Sequence, residues 1–394
     1  MARILAVGTM YPPQHLGGYE LLWRDTTLAL RAAGHEVRVL AADLRLASAA
    51  ELDGDVYREL RWYWSDHTFP RRAPRECIAL ERHNARVLAR HLDALRPDVV
   101  MWWALGGLSL SLVERVRRRG VPALGVVGDE WMAYGPRVDQ WLSAWAARPS
   151  LAGWAAAVTR TPTRFVPGRS ARWLFISDFL RGEAQRVTGG ALADTGVVHP
   201  GVDPARFPPA PPGPWRGRLL YCGRIDERKG IADALTALAH LPEATLRVDG
   251  GGDESHLGRL REQAAELGVA GRVTFARSPR EDLAGVYAAA DAVLFPVRWP
   301  EPWGLVPLEA MSVGRPVVAT GTGGSAEYLS DGHNALVVSP GDPPALAAAV
   351  RRLAEGPLRE RLVTGGRRTA GLLTQAAFET AVGLELRAVA RAPS

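Results

Sequence analysis

The chain reads as an α/β protein of two doubly wound parallel-sheet units, and three observations carry that reading. Short apolar runs alternate with longer amphipathic stretches, the alternation restarts after residue 217, and five prolines crowd residues 208–214 (PPAPPGP) between the two series. A length of 394 residues suits two domains of ordinary size. The boundaries expected are 1–204, with 375–394 packing back on it, and 205–374. Prolines at this density continue neither a helix nor a central strand, so the segment reads as a stiff connector.

Each element follows from its local pattern. The first series of strands is read at 3–7, 36–41, 99–103, 123–127 and 173–176, with helical periodicity over 20–33, 81–95 and 109–119 between them. The second series is read at 219–222, 245–248, 273–276, 292–295 and 316–319. A last helical pattern spans about 375–390, after the second sheet has used its strands, which is why it is expected to return to the first unit. The opening apolar run breaks at Pro12 and Pro13 and is too short for a signal peptide. The longest uncharged stretch, 99–113, falls short of the ~20 apolar residues that cross a bilayer.

Composition removes several function classes. Hydrophobic residues make up 47% and charged residues 23%, which excludes disorder and collagen. Two cysteines, Cys77 and Cys222, support neither a disulfide framework nor a four-cysteine metal cage, so a reducing, cytoplasmic setting is expected. The net charge of +6 admits anionic partners, but the basic residues are interspersed with 42 acids and form no aromatic-interleaved stripe, so no nucleic acid is expected. An NAD-dependent oxidoreductase is disfavoured because no Gly-x-Gly-x-x-Gly follows the first strand. Lys229 is the only lysine among 48 basic residues. In a chain that otherwise uses arginine throughout, it points to a site wanting a slim ammonium.

Open parallel sheets bind ligands beyond the carboxyl ends of their strands. There the chain places YCGRIDERKG (221–230), in which Arg224 and Lys229 flank a short loop leading into a helix. Two cations and a helix N-terminus suit a diphosphate, although Arg224 paired to Asp226 or Glu227 in a solvated loop is the competing reading. After the strand ending at Phe295 comes RWPEPWGLVPLEA (298–310), with Glu301 and Glu309 separated by seven residues. Gly304 is expected to open the helix and Glu309 to stand about five residues into it. A nucleotide sugar offers a polyhydroxyl ring, a diphosphate and a ribose in that order. Glu301 would accept from sugar hydroxyls, the Gly304 and Leu305 amides would hold phosphate, and Glu309 would accept from the ribose diol.

At these residues the chain resembles the retaining GT-B glycosyltransferases of glycosyltransferase family 4. The resemblance takes in the Gly17-Gly18 loop, HPGVD (199–203), GRIDERKG (223–230), the spaced glutamates, and GTGGSAE ending at Glu327, in the family's order. It implies two Rossmann-like domains facing across a cleft, the first binding the acceptor and the second a nucleoside-diphosphate sugar such as a UDP-sugar. Arg224, Lys229, Gly17 and Gly18 then match donor-diphosphate residues, Glu301 the residue near the transferred sugar, and Glu309 the ribose ligand. Many family members carry His-Asp after the fourth N-terminal strand, whereas this chain has Gly128-Asp129 there. Asp129 becomes the candidate that orients a sugar hydroxyl or the acceptor, with capping of the next turn as its alternative role. His15 is read as a surface histidine.

The resemblance further implies metal-independent, front-face transfer in which the departing phosphate takes the acceptor proton, with no cofactor. Cations and a helix terminus would stabilise that leaving group by electrostatic preorganisation. Asp53-Gly54-Asp55 superficially matches an Asp-x-Asp metal site but reads as a turn. The acceptor is expected to be a sugar, a glycolipid or a natural-product aglycone, with Trp62, Trp64, Trp102, Trp103, Trp131, Trp141, Trp145 and Trp154 serving either stacking or the core. Arg117-Arg118-Arg119 ends a helix, where cations favour the macrodipole, and peripheral membrane contact is the less favoured reading of that run. Epimerisation or phosphorolysis of a sugar nucleotide on the same fold is the alternative function.

Overall fold

The computed structural model describes residues 1–15, 17–43, 54–65 and 68–391 and divides the chain into two units, Met1–Val198 with Glu379–Ser394, and His199–Phe378. In the first unit the strands are β1 (Arg3–Val7), β2 (Glu36–Ala42), β3 (Val56–Leu60), β4 (Val99–Trp102), β5 (Ala123–Val127), β6 (Arg172–Phe175) and β7 (Thr195–Val197). The helices are α1 (Gly18–Ala32), α2 (Pro74–Leu95), α3 (Ser111–Arg118), α4 (Trp131–Val138), α5 (Gln140–Ala146), α6 (Pro149–Thr159) and α7 (Asp178–Val187). All strand pairs are parallel in the order β3-β2-β1-β4-β5-β6-β7, with Ile4 in register with both Val37 and Val99. That order reverses between β1 and β4, so the crevice beyond their carboxyl ends is where such a sheet offers a site.

The second unit holds β8 (Arg218–Cys222), α8 (Ile231–Ala239), β9 (Thr245–Asp249), α9 (Glu254–Glu266), β10 (Val273–Ala276), α10 (Leu283–Ala289), β11 (Ala292–Phe295), α11 (Val306–Val313), β12 (Val317–Ala319), β13 (Leu336–Val337), α12 (Pro343–Arg352) and α13 (Gly356–Leu372). Its sheet is also wholly parallel, in the order β10-β9-β8-β11-β12-β13. Leu235, Val248, Leu294 and Val318 are buried in one continuous core between the sheet and its helices. Both faces of a parallel sheet are covered by crossover helices, so its strands read as unbroken apolar runs. The last helix, α14 (Gln375–Arg391), belongs to the first unit from Glu379 onward. Its Glu385 accepts from Arg172 Nε at 2.7 Å.

Three strands escape the apolar-run criterion. β3 reads VYREL because Arg58, a buried residue, turns its guanidinium to the carbonyls of Tyr11 and Pro12 at 3.0 and 2.9 Å, while β7 and β13 are only three and two residues long. α2 begins well ahead of residue 81, at Pro74, where proline suits the first helical position and Glu76 accepts from the Ala73 amide at 2.8 Å. The proline-rich segment is not a connector standing between the units. It runs along the second, where Ala210 N donates to Val313 O at 3.0 Å and Arg315 reaches the carbonyls of Ala210 and Pro211. Asp53 lies outside the described residues, and Gly54-Asp55 form the turn entering β3. Among the described residues no helix is long and apolar enough to cross a membrane.

Candidate active site

The second unit brings the sole lysine onto the first of the spaced glutamates. β8 ends at Cys222, and the following loop passes through a short 3₁₀ turn, Glu227–Lys229, before α8. Gly230 sits at φ 70°, where a Cβ would lie 1.8 Å from the Pro296 carbonyl oxygen, so only glycine lets this loop lie against the end of β11. Lys229 Nζ then donates to Glu301 Oε2 at 2.6 Å, and Trp299 Nε1 donates to the same oxygen at 3.0 Å. Both partners of the ion pair are largely withdrawn from solvent, with side chains 16% and 12% exposed. The Arg228 guanidinium lies 4.4 Å from the Trp299 ring centroid, which fixes the indole that helps hold Glu301.

Arg224 is not consumed by its neighbours. Asp226 is bonded by Arg228 at 3.0 and 2.9 Å, whereas Arg224 Nη2 stands 3.5 Å away, and Arg224 Nε is buried without a hydrogen-bond partner. The hydrogen bonds from Arg228, aided by the charges of both guanidiniums, hold Asp226 down at about 2. A guanidinium left so loosely engaged retains donors for an anion.

The helix expected to open at Gly304 begins instead at Val306, with Leu305 as its cap. Gly304 has φ 86°, a left-handed conformation that cannot belong to the helix, and a Cβ there would meet the Phe295 ring at 2.8 Å. Glu309 is accordingly the fourth helical residue. It is not the exposed glutamate that a helix surface would present: it is 6% exposed, and its Oε2 accepts from Tyr287 Oη at 2.7 Å. Burial raises its carboxyl above the usual range and pushes the nearby Cys222 thiol up to about 12. Glu309 and Glu301 therefore occupy separate environments: Glu309 is buried, bonded to a phenol and within reach of the Arg280 charge, whereas Glu301 is ion-paired directly with Lys229. The GTGGSAE stretch folds against the latter, Gly324 N donating to Glu301 O at 2.7 Å. In the HPGVD run, His199 stacks on Trp303 with centroids 4.5 Å apart and meets Glu327 Oε2 at 3.1 Å.

In the first unit, α1 starts at Gly18, and Gly17 N donates back to Glu20 Oε2 at 3.0 Å. Tyr19 Oη donates to Val126 O, and its ring occupies the space that a Cβ on Gly128 would need, which ties the start of α1 to the end of β5. Asp129 follows directly. Its Oδ2 accepts from Tyr134 Oη at 2.8 Å, while its Oδ1 is buried with no hydrogen-bond partner. Burial, opposed by the Tyr134 bond and reinforced by the Glu20 charge, pushes Asp129 up to about 6. A carboxyl half-satisfied and poised near neutrality can hold or accept a proton. His15 is exposed, and among the described residues it meets the Pro13 carbonyl through Nδ1. Of the tryptophans singled out, Trp102, Trp103 and Trp131 are core, whereas Trp154 is 66% exposed.

Sequence reasoning missed Tyr19, Tyr134, Tyr287 and Trp299, the residues that hold these carboxylates and the loops around them. Trp299 stands two positions before Glu301 and Tyr134 five after Asp129, close enough to leave a trace in sequence, whereas Tyr19 meets Val126 across 107 residues and Tyr287 meets Glu309 across 22.

Comparison with known proteins follows the same division. The family description "Glycosyltransferase Family 4" matches residues 16–206, and "Glycosyl transferases group 1" matches residues 215–369. The chain is 28% identical over 386 residues to a glycogen synthase of Mycobacterium tuberculosis, covering 90% of this chain and 86% of that one. It is 37% identical over 184 residues to a D-inositol 3-phosphate glycosyltransferase of Mycolicibacterium gilvum, covering 43% and 41%. Among solved structures, a sucrose-phosphate synthase from Thermosynechococcus elongatus superposes with TM-score 0.75 at 22% identity over 99% of both chains. Anabaena HepE in complex with UDP superposes with TM-score 0.74 at 19% identity, covering 98% of this chain and 100% of that one. With two family descriptions that together take in nearly its whole length and with the fold of both sheets shared, the chain belongs to the glycosyltransferases of GT-B fold, family 4 in its first unit and group 1 in its second.

Proposed function

We propose that this glycosyltransferase moves a sugar from a nucleoside-diphosphate sugar to a hydroxyl acceptor with retention, by a metal-independent front-face route in the cytoplasm. The observation that carries the reading is the Lys229–Glu301 pair at 2.6 Å, braced by Trp299, beside the under-engaged Arg224. A cation and a carboxylate held side by side match the junction between a diphosphate and a sugar. Lys229 and Arg224 take the donor diphosphate together with the Gly304 and Leu305 amides, which lead into α11 at the end of its dipole that favours an anion. Gly17 and Gly18 keep the phosphate-facing role that the resemblance implies. Glu309 takes the ribose diol, and its bond to Tyr287 presets the carboxylate. Glu301 accepts from hydroxyls of the transferred sugar.

Transfer requires that negative charge be stabilised on the leaving diphosphate and that the acceptor lose a proton. Fixed cations accomplish the first without reorganising during reaction. The departing phosphate oxygen takes the acceptor proton, and Asp129 orients an acceptor or sugar hydroxyl through its unpartnered Oδ1. The first unit is the acceptor side and the second the donor side, with sugars, glycolipids and natural-product aglycones as the acceptor classes. HepE was solved with UDP, which makes UDP-sugars the first donors to try.

Thermal shift against UDP-, GDP-, ADP- and TDP-sugars tests the donor assignment, because a ligand of the native state raises apparent stability. Lys229→Ala and Glu309→Ala should each weaken nucleotide binding about tenfold, the worth of a charge-assisted hydrogen bond. Glu301→Ala should lower turnover more than binding. Unchanged nucleotide affinity in both of the first two variants refutes the donor assignment. Nucleotide release only when an acceptor is added supports transfer, whereas conversion of the sugar nucleotide to its epimer with no nucleotide released, or turnover that needs inorganic phosphate, refutes it in favour of epimerisation or phosphorolysis. Loss of activity on chelation refutes the metal-independent route.

A further inference from the structure

We infer that the first unit carries a second anion site, a cavity of about 210 Å³ that binds a phosphate group bearing an apolar substituent. Arg115, Arg118, Arg119 and Arg160 line one part of it and the α2 residues Leu88 and Leu92 another. Water occupies about 30 Å³ per molecule in the liquid, so the space takes about seven waters, or a phosphate and several carbons.

The site stands apart from the candidate active site within its own sheet. In a parallel α/β layer each helix runs back against its strands, so helix carboxyl ends lie where strands begin. Arg118 and Arg119 close α3 ahead of β5, and Arg160 follows α6. Asp129, by contrast, follows the carboxyl end of β5.

The charge balance leaves room for an anion. Arg118 and Arg117 bond Glu114 at 3.0 and 2.8 Å, and Arg119 meets Asp93 at 2.8 Å. Arg115 and Arg160 form no ion pair among the described residues. Arg115 donates only to the Arg160 carbonyl and Thr161 Oγ1, both at 3.1 Å, and its Nε is buried with no partner. Burial and the charges of Arg118 and Arg119 act on the Arg115 guanidinium in one direction, against its charged form, and only Glu81 opposes them. An anion entering the cavity would relieve that repulsion and satisfy the free donors. The planar guanidinium fork matches phosphate bidentately, and a phosphate has enough oxygens to engage several such forks at once. The macrodipole account of the arginine run explains why cations end α3. It does not explain Arg160, which reaches the same cavity from another helix.

The apolar component has its own support. On α6, Leu151, Trp154 and Val158 are 51%, 66% and 61% exposed and recur at the i, i+3, i+7 spacing of one helix face. That stripe ends two residues before Arg160, so apolar surface and cationic cavity adjoin along the chain. The shared chemistry is a phosphate ester, supplied either by a soluble metabolite or by a lipid headgroup.

The full chain carrying Lys229→Ala, which weakens the donor phosphate site, is titrated calorimetrically with hexyl phosphate in the presence of excess UDP to occupy what remains of that site. The same protein is co-sedimented with phosphatidylglycerol and with phosphatidylcholine vesicles. Adding Arg119→Gln and Arg160→Asn, the latter chosen because asparagine tolerates the φ of 53° at this position, should weaken hexyl phosphate at least about tenfold without lowering the melting temperature. Arg160→Lys should retain binding within a few-fold. Sedimentation with anionic vesicles alone, lost in the double-arginine variant, assigns the lipid source. Hexyl phosphate binding without vesicle binding assigns the soluble one. No binding of either probe, or binding that survives loss of both arginines, overturns the proposal.

Discussion

Replacing Asp129 by asparagine separates stability from activity in a way that the local geometry quantifies. The Asp129 carboxyl titrates near 6 in the folded protein, against about 3.9 in an unfolded chain. The folded state therefore binds more protons than the unfolded state between those values, and stability falls as pH rises through them. At 1.36 kcal/mol per pH unit, the full cost of the buried carboxylate at pH 8 is about 3 kcal/mol, of which about 1 kcal/mol is already present at pH 4.5. Asparagine can still accept from Tyr134 through its amide oxygen, so the phenol keeps its partner while the charge is gone. The constant cost of burying the amide cancels in a comparison across pH. The advantage of Asp129→Asn over the wild type should thus grow by about 2 kcal/mol between pH 4.5 and pH 8, read from denaturant unfolding of both proteins at each pH. Sugar transfer should fall sharply in the same variant. Parallel stability profiles would refute the claim that Asp129 is held near neutrality by burial, whatever its role in catalysis.

Tyr287→Phe leaves the buried Glu309 carboxylate without its hydroxyl donor and should cost about 1–3 kcal/mol in stability, measured by chemical denaturation, with weaker nucleotide binding. Glu309→Gln keeps an acceptor for Tyr287 and should leave stability at neutral pH unchanged or higher while nucleotide affinity falls. Gly304→Ala forces a side chain into left-handed backbone against Phe295 and should lower the melting temperature, the strain being worth about 1–3 kcal/mol. In all three cases the reasoning fails if the melting temperature and nucleotide affinity match the wild type.

Local order along the chain sufficed for much of this protein. Unbroken apolar runs such as ILAV and AVLF announce strands covered on both faces, because a crossover helix must lie on each side of a parallel sheet. The lone lysine and the two spaced glutamates could be singled out because both segments follow the carboxyl end of a strand, one after Cys222 and one after Phe295, where parallel sheets offer sites. β3, β7 and β13 were not legible, since a buried arginine and very short length defeat any periodicity. Nor was the start of α11 legible: Gly304 resembles a helix opener in sequence, and only its φ of 86° shows the backbone turned left-handed.

The environment of each charged group needed folding to appear. Glu301 and Lys229 are 72 residues apart, and Tyr287 lies 22 residues from Glu309, yet these contacts set which carboxylate is ion-paired and which is bonded to a phenol. Desolvation and pairing depend on distance in space and on the water excluded around a group. A linear string records residue type and spacing along one dimension, which dictates helices, strands and loops, whereas the dielectric and the partners a side chain meets arise only when distant elements pack together.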